Sequence, residues 1–331
     1  MLSDFPYPLL NNAQLIEQMN RFSATGKPFV FIISYDKKHG YVIPESELDA
    51  HFIQFEINQH TSQVHSKSDL NIDWEPIPVD YKTYKQKFEA VMTEINQGNT
   101  FLLNLTQPTP LTTNLTLDTI YKYSKAKYKL WLRNQFVVLS PETFVQIDGD
   151  RLASFPMKGT IDASIPNAEK LILSDKKEKA EHATIVDLIR NDLSMVATDV
   201  HVKRFRYTDC LETNLGSLLQ ISSEITAVLK PEYMQQMGTL FMRLLPAGSI
   251  SGAPKTKTRS IIQQVEGYER GFYTGVFGHF DGKRLNSAVM IRFIEQHEKG
   301  LLFKSGGGIT SQSTCEIEYR ELIQKVYVPI Y

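Results

Sequence analysis

Strand-like segments follow one another along much of this chain, with short turns between them. The clearest case is QFVVLSPETFVQIDGDRLASF, residues 135–155, whose apolar runs are broken only by turn residues. PFVFIISYD, KKHG and YVIP near the N-terminus read in the same way as a β-hairpin. Because the strands come in runs, without a regular alternation with helices, the pattern favours an α+β fold over a parallel, doubly wound sheet.

Helical spacing is confined to a few segments. In YKTYKQKFEAVMTEINQGN, Tyr84, Phe88, Met92 and Ile95 recur along one face, and Gly98 ends the helix. SDKKEKAEHATIVDLIRNDL predicts a second helix, capped by Ser174 or Asp175. LPAGSISGAPKTKTRSIIQQVE predicts a small-residue loop leading into a helix, with Pro254 near its start. STCEIEYRELIQKVYV predicts the last helix.

The remaining segments complete the expected architecture. GFYTGVFGHF, RLNSAVMIRFIE and GLLFKSGGG each predict one further strand. The length of 331 residues suits one large domain or two smaller ones. With no long linker or repeat, we expect a single domain over residues 1–331, with a short, strand-rich N-terminal part at about 1–75.

Charge and cysteine content exclude several classes. Lys and Arg number 36 against 37 Asp and Glu, so neither nucleic acid nor an anionic membrane surface is expected as the main partner. No apolar run reaches the roughly 20 residues of a membrane span, and the N-terminus lacks a secretion signal. Cys210 and Cys315 form no metal-binding or disulfide pattern. We therefore expect a cytoplasmic protein.

Two predicted helices each carry a pair of glutamates three residues apart. Glu178 and Glu181 share one face, and Glu318 and Glu321 share another. If the two faces met, their oxygens would suit Mg²⁺, which binds a few carboxylates and leaves positions for water and an anionic ligand. The same residues also fit ordinary helix chemistry, because Asp175 to Glu178 and Ser313 to Glu316 match capping boxes, and Glu321 to Lys325 matches an ion pair.

Three other features have two interpretations each. Gly306–Gly308 either allow a close approach of the backbone to a ligand or another chain segment, or form a flexible hairpin end. Arg292, in an apolar strand, either binds an anion or faces water. Lys158, in FPMKGT, is either an exposed lysine or a nucleophile. The loop before Lys255 fails the spacing of a nucleotide-binding P-loop, although its helix start still favours an anion.

Eight stretches, taken together and in order, resemble one family, the chorismate-using enzymes. They span roughly residues 81–327 and read SPETF, FPMKGT, AEHATIVDLIRNDL, LPAGSISGAPK, GFYTGVFG, MIRF, SGGGIT and EYRELIQKV. The resemblance implies two antiparallel sheets packed face to face, with helices outside. It also implies an enzyme that binds chorismate with Mg²⁺.

The resemblance assigns expected roles to individual residues. Glu181 and Glu321 match the Mg²⁺ ligands, Glu178 and Glu318 match supporting carboxylates, and Glu142 matches the general acid that protonates the leaving C4 hydroxyl. The positions that match substrate-binding residues are Arg292, Tyr273, Lys325, Gly306, Gly307, Gly308, Ser249 and Thr160. A dianionic substrate in a site with four glutamates needs the metal and these cations.

Three positions distinguish the reactions within the family. Lys158 resembles the lysine of aminodeoxychorismate synthases, which is taken to attack C2 of chorismate, whereas anthranilate synthases resemble one another in having alanine there. A desolvated lysine near Mg²⁺ would have a lowered pKa and be a competent nucleophile. Leu102 replaces the lysine that activates water in isochorismate and salicylate synthases. Gln220 departs from a histidine found in many members.

The resemblance therefore implies the aminating component of an aminodeoxychorismate synthase, on the way to p-aminobenzoate and folate. Anthranilate synthase component I is the alternative within the family, and a non-catalytic chorismate-binding regulatory subunit is a remote one. Neither cysteine lies in the glycine-flanked turn of a glutamine amidotransferase, so we expect a separate glutaminase partner to supply ammonia. The short N-terminal part makes tryptophan regulation doubtful.

Overall fold

The computed structural model of this chain describes residues 5–57, 72–213 and 216–330. Within these ranges the helices are Asn12–Thr25 (α1), Tyr81–Asn96 (α2), Leu117–Tyr123 (α3), Ala168–Ser174 (α4), Lys176–Ser194 (α5), Met237–Leu244 (α6), Gly248–Ser251 (α7), Lys255–Glu266 (α8) and Cys315–Gln324 (α9). None of these helices combines the length and apolarity that crossing a bilayer requires.

The strands of the described residues form two sheets. Their bounds are Leu10–Asn11 (β1), Phe29–Ile33 (β2), His39–Pro44 (β3), Ile53–Ile57 (β4), Trp74–Pro76 (β5), Leu102–Thr113 (β6), Tyr128–Leu132 (β7), Phe136–Ser140 (β8), Thr143–Asp148 (β9), Arg151–Ser154 (β10), Met157–Asp162 (β11), Ala197–Thr213 (β12), Gly216–Leu229 (β13), Gly252–Ala253 (β14), Val276–Phe280 (β15), Arg284–Val289 (β16), Phe293–His297 (β17) and Gly300–Thr310 (β18).

Every pairing between these strands is antiparallel, which confirms the α+β class. The first sheet has the order β1-β3-β2-β15-β16-β9-β10-β13-β11, with β12 paired to β13. The second has the order β14-β6-β18-β17-β8-β7-β4, with β5 paired to β6. Strand β13 is long enough to pair with β10 and then β11 on one edge while β12 runs along the other.

The sheets face each other, and helices cover their outer faces. Strand β2 shows the sequence consequence, because all five of its residues are buried. Phe29, Phe31 and Ile33 pack against α1 and α6, whereas Val30 and Ile32 pack against the second sheet. A strand buried on both faces has no polar alternation, so it reads as a continuous apolar run.

Several sequence predictions are confirmed. The N-terminal hairpin forms from β2 and β3. Asp175 is the N-cap of α5, since its side chain accepts a hydrogen bond from the Glu178 backbone N–H at 2.9 Å. Helix α2 buries Tyr84, Phe88 and Ile95.

Other predictions need correction. Residues 12–25 form a helix within the part expected to be rich in strands, and residues 58–71 of that part lie outside the described ranges. The expected strand RLNSAVMIRFIE is two strands, β16 and β17, and Arg292 lies between them with φ of 52°. The capping box from Ser313 to Glu316 does not form, because Thr314 is the N-cap of α9 and Ser313 donates instead to Glu318.

Candidate active site

One pocket lies where the two sheets, α5 and α7 meet. Its walls come from β6, β11, β14 and β18, from α5 and α7, and from the turn before β9. The lining residues are Leu102, Asn104, Glu142, Met157, Lys158, Glu181, Thr184, Ile185, Ser249, Gly252, Gly308 and Thr310. Five residues that the sequence singled out as candidate site residues, namely Lys158, Glu142, Glu181, Ser249 and Gly308, are therefore brought together here, together with Leu102.

A β-bulge directs Lys158 into this pocket. Met157 lies opposite Ser222 and Thr160 lies opposite Gln220, so β11 has one more residue than β13 between these pairs. Gly159 sits in the bulge with φ of +86°, a conformation that glycine adopts most readily. The Lys158 ammonium reaches the Glu181 carboxylate, with Nζ 3.0 Å from Oε2.

The charge on Lys158 is set by its carboxylate neighbours. Burial alone would lower the pKa of this lysine, but the negative charges of Glu181, Glu321 and Glu178 outweigh burial and raise it. The lowered pKa expected from the sequence is therefore not produced by the protein groups alone. A divalent cation among the same carboxylates would oppose their effect.

Glu142 has the opposite character. Burial raises the pKa of its carboxyl group to about 7, against the lowering effect of a hydrogen bond from Ser249. The Ser249 hydroxyl donates to Glu142 Oε1 at 2.5 Å. A carboxyl group that holds its proton near neutral pH is suited to act as a general acid.

The two glutamate pairs project toward Lys158 and Lys325 from α5 and α9. Lys325 Nζ lies 2.6 Å from Glu321 Oε1, in the ion pair that the i, i+4 spacing predicts. Glu318 is buried and accepts a hydrogen bond from the Ser313 hydroxyl at 2.7 Å. Both helices therefore present carboxylates to a cation, and each already holds a lysine ammonium.

These carboxylates fit Mg²⁺ in donor chemistry. Within the described residues, no three acidic, histidine or cysteine side chains converge closely enough to chelate an ion by themselves. Mg²⁺ is commonly held by only one or two carboxylates, with waters and a substrate anion completing the octahedron. Glu181 and Glu321, which already bind ammonium groups, are the residues that would hold it.

The three glycines of SGGGIT lie inside β18 rather than at a hairpin end. A β-carbon on Gly306 would lie 2.6 Å from the Leu105 carbonyl oxygen, and one on Gly307 would lie 3.3 Å from Glu318 Oε2. Lys325 Nζ donates to the Gly306 carbonyl at 2.8 Å. The close approach of β6 therefore requires glycine at position 306, and Gly307 leaves room for the Glu318 side chain of α9. This agrees with the interpretation in which the glycines allow another chain segment to come close.

Six of the eight expected substrate-binding residues lie outside the pocket walls, namely Gly306 and Gly307, described above, and Arg292, Tyr273, Lys325 and Thr160. The Arg292 guanidinium donates to the Lys325 carbonyl at 3.2 Å and covers the ring of Tyr327. Tyr273 is buried against Phe293, and burial raises the pKa of its hydroxyl. Lys325 holds Glu321, as described above. Thr160 is exposed on β11, so its expected role has no support from the pocket geometry.

The sequence did not single out the other pocket residues. Asn104 is the clearest omission, because a polar side chain in the apolar run LLNLT signals a special environment. Its amide donates to the Ile250 carbonyl at 3.1 Å. Met157, Thr184 and Ile185 carry no comparable signal.

The chain matches known proteins over most of its length. The model of the chorismate binding enzyme family matches residues 44–330. A Haemophilus influenzae protein named "Uncharacterized PabA-like protein" is 48% identical over 95% of this chain and 96% of its own length. Anthranilate synthase component 1 3 of Haloarcula marismortui is 31% identical, covering 73% of this chain and 50% of the relative. Aminodeoxychorismate synthase component 1 of Salmonella typhimurium is 30% identical, covering 73% and 56%.

Solved structures support the fold. Anthranilate synthase component I from Streptococcus pneumoniae superposes with a TM-score of 0.71 at 20% identity, over 94% of this chain and 84% of that one. The menaquinone-specific isochorismate synthase from Escherichia coli gives 0.71 at 15% identity, over 95% and 81%. Such low identity shows the shared architecture alone. Together with the family match over residues 44–330, it establishes that this chain belongs to the chorismate binding enzymes and is a chorismate-utilising enzyme.

Proposed function

We propose that this protein is component I of an aminodeoxychorismate synthase, which converts chorismate and ammonia to 4-amino-4-deoxychorismate for the synthesis of p-aminobenzoate and folate. The observation that carries the proposal is Lys158. A bulge turns its ammonium into the pocket, and the pocket is also lined by Glu142, a carboxyl group with a pKa of about 7. A nucleophile and an acid therefore share one site.

The first step that we propose uses both residues. The Lys158 amine forms a bond to C2 of chorismate, both ring double bonds shift by one position around the ring, and the C4–O bond breaks. Glu142 donates its proton to the leaving hydroxyl, which departs as water. Lys158 must be neutral to attack, and Glu181, 3.0 Å from its Nζ, is close enough to hold the departing proton.

The second step releases the enzyme. Ammonia forms the C4–N bond, both ring double bonds shift back, and the C2–N bond to Lys158 breaks. The proton that the new C4 amino group loses passes to the departing Lys158 nitrogen. When bound, Mg²⁺ would hold the ring carboxylate of chorismate and offset the charge of Glu181 and Glu321. Lys325, whose Nζ lies 2.6 Å from Glu321, and Arg292, whose charge acts on Lys325, would add positive charge beside this carboxylate.

Leu102 limits the competing reaction with water. Its side chain is buried and lines the pocket. A leucine cannot take a proton from water, so this wall offers no base for hydrolysis or for isochorismate formation.

The ammonia in this proposal comes from a separate glutaminase subunit. A glutaminase nucleophile needs a cysteine on a sharp, exposed turn. Cys210 lies within β12, and Cys315 is the buried first residue of α9. Neither has this geometry, so we infer that a partner supplies ammonia and that free ammonium can replace it in vitro.

Anthranilate synthase component I is the second candidate, favoured by relatives of that name at 31% identity. It would make Lys158 a bystander. A regulatory subunit without activity is a third. The presence of Glu142 and of all four glutamates on α5 and α9 argues against it.

The intact mass of the protein, incubated with chorismate and Mg²⁺ but no ammonia source, tests the proposal. We expect a covalent chorismate-derived adduct that maps to Lys158. Lys158→Ala should abolish the adduct and lower amination at C4 by at least about 100-fold, because covalent catalysis is lost. Lys82→Ala, which removes an exposed lysine on α2, is the matched control. It should keep both the covalent adduct and the wild-type rate of amination at C4.

Two results would contradict the proposal. The first is no adduct on wild type, with anthranilate formed once ammonium is added, which would indicate anthranilate synthase. The second is no turnover of chorismate with Mg²⁺ and ammonium present, which would favour the regulatory subunit.

A further inference from the structure

The hydroxyl that contacts Glu142 is carried by an unusually short element. Helix α7 has four residues, Gly248–Ser251, and so few residues do not hold a helical turn by themselves. Ser249 nevertheless donates a 2.5 Å hydrogen bond to Glu142 across the pocket. The stability of this contact must come from the groups around α7.

One side of α7 is held by a charged pair. The backbone N–H of Gly248 donates to the Asp192 carboxylate, which also binds Lys255 with Oδ2 2.7 Å from Nζ. Lys255 donates to the Leu244 carbonyl at 2.9 Å. A β-carbon on Gly248 would lie 2.9 Å from Asp192 Oδ2, so glycine is needed for this approach.

The other side is held by Arg270, whose five N–H donors are all used. Nε and Nη2 bind Glu266 at 2.8 and 2.6 Å, and Nη2 also donates to the Asn104 carbonyl at 2.6 Å. Nη1 donates to the Ile250 carbonyl at 2.9 Å and to the Thr274 hydroxyl at 3.3 Å. Ile250 directly follows Ser249.

The Arg270–Glu266 ion pair is more deeply buried and makes more hydrogen bonds than the end of helix α8 requires. Both side chains are 1% exposed. Glu266 also accepts from the backbone N–H and the hydroxyl of Thr106. A buried charge pair is costly to desolvate, so it stabilises a fold only weakly, and in some proteins its role is to fix one arrangement. Here the arrangement that it fixes includes two pocket elements, β6 and α7.

We propose that Arg270 is a positioning residue, which holds the Ile250 carbonyl and thereby aims the Ser249 hydroxyl at Glu142. This inference rests on the proposed function, in which Glu142 is the general acid. The chain of contacts runs from Glu266 at the end of α8, through Arg270 and Ile250, to Ser249. Arg270 itself does not line the pocket.

Arg270→Lys tests this chain of contacts. Lysine keeps the positive charge beside Glu266, but one ammonium cannot reproduce the planar fork that spans Glu266, Asn104 and Ile250. Should Arg270→Lys fail to fold, Glu266→Gln/Arg270→Gln removes both charges together and leaves none unpaired. The matched control is Lys129→Met, which breaks the ion pair of the buried Lys129 on β7 with the partly exposed Glu56 on β4, away from α7.

The kinetic readout is a comparison with Ser249→Ala. Because the Ser249 hydrogen bond lowers the pKa of Glu142, its loss should move the alkaline limb of kcat/KM to higher pH. The other titratable side chains lining the pocket are Lys158 from β11 and Glu181 from α5. Arg270→Lys should shift the limb in the same direction and lower kcat about tenfold, a fraction of what general acid catalysis contributes. KM should stay within about twofold.

The double variant Ser249→Ala/Arg270→Lys decides the route. If Arg270 acts through Ser249, adding Arg270→Lys to Ser249→Ala should change kcat by less than about twofold. An undiminished tenfold loss in the double variant would overturn the proposal, as would an equal shift of the pH limb in Lys129→Met.

Hydrogen exchange separates this proposal from the proposed function, because it needs no turnover. The backbone amides of residues 247–252 should exchange faster in Arg270→Lys than in the wild-type protein. In Lys129→Met their exchange rates should be unchanged. If residues 247–252 exchange faster in Arg270→Lys while the wild-type protein does not convert chorismate, the positioning role of Arg270 is supported and the proposed function is refuted. Unaltered exchange in an active enzyme would refute the positioning alone.

Discussion

Glu142 and Lys158 have shifted pKa values for different reasons. Burial in low-dielectric protein raises the pKa of Glu142 to about 7, and the single hydrogen bond from the Ser249 hydroxyl lowers it by less than burial raises it. Lys158 is also buried, but three carboxylates raise its pKa instead. The acid therefore keeps its proton near neutral pH through burial, and the lysine keeps its charge through its neighbours.

The pH dependence of kcat/KM should show the titration of Glu142. A general acid acts only when protonated, so activity should be present below about pH 7 and decline as the pH rises through the pKa of Glu142. Glu142→Gln should remove this limb and lower kcat by about 10²–10⁴. An alkaline limb that persists in Glu142→Gln would show that another group titrates.

Binding of Mg²⁺ should depend on Glu181 and compete with Lys158. Calorimetric titration should show Glu181→Gln weakening the binding of Mg²⁺ at least tenfold, since even groups that only support a metal ligand contribute about 10–100-fold. Lys158→Met should strengthen binding, because it removes a cation 3.0 Å from Glu181. Glu89→Gln, an exposed change on α2, is the control. Unchanged affinity in Glu181→Gln would contradict the metal assignment.

At the scale of elements, the bulge of β11 does most to form the site. Gly159 has φ of +86°, and a β-carbon there would lie 2.6 Å from Glu178 Oε2. Gly98, after α2, has φ of +75° but nothing within 4 Å of such an atom. The two glycines share a backbone conformation and differ in crowding.

Alanine substitutions at these two glycines should separate strain from crowding. Gly98→Ala should cost about 1 kcal/mol of unfolding free energy, the strain of a left-handed alanine. Gly159→Ala should cost about 2–4 kcal/mol, because overpacking against Glu178 adds to the strain. Urea unfolding measures both. Equal losses, or unaltered Mg²⁺ affinity in Gly159→Ala, would show that the bulge does not position the carboxylates.

Elements with local signals could be predicted from the sequence. The i, i+3 spacing placed each glutamate pair on one face, and Asp175 marked the start of α5. Helix α1 also had a signal, the capping box of Asn11 and Gln14, but the neighbouring apolar strands dominated the interpretation. The break between β16 and β17 at Arg292 had no local signal, because no glycine or proline interrupts the apolar run RLNSAVMIRFIE. The contacts of Arg292 with Lys325 and Tyr327 arise only in the folded protein.

The site contacts between distant residues could not be predicted from spacing. Glu142 and Ser249 are separated by 107 positions in the chain, and only the tertiary fold brings α7 to the turn before β9. The family resemblance named both residues without indicating that they touch. Similarly, the charge of Lys158 depends on Glu321 from α9, which no local pattern connects to β11.

At the scale of the whole molecule, buried charges connect the layers. Arg270 and Glu266 join α8 to β6, and Lys304 of β18 donates to the Arg270 carbonyl at 3.1 Å. Each charge is compensated only while its partner is present. The helix layer and the second sheet are therefore energetically linked beneath the pocket.

Glu266→Gln should lower the free energy of unfolding by about 3–5 kcal/mol, since it leaves Arg270 buried without a counter-charge. Glu89→Gln breaks another i, i+4 pair, with Lys85, in which both side chains are at least half exposed, and should cost less than about 1 kcal/mol. Denaturant midpoints give both values. Similar losses in the two variants would contradict the energetic role of the buried pair.

The pairing of strands from opposite ends of the chain has a consequence during synthesis. β2 pairs with β15 in the first sheet, and β6 pairs with β18 in the second. Neither sheet can close until residues near 276–310 have left the ribosome, so the nascent chain exposes long unpaired strand edges until late in translation. We expect yields of this protein in a cell-free system to depend strongly on added chaperones.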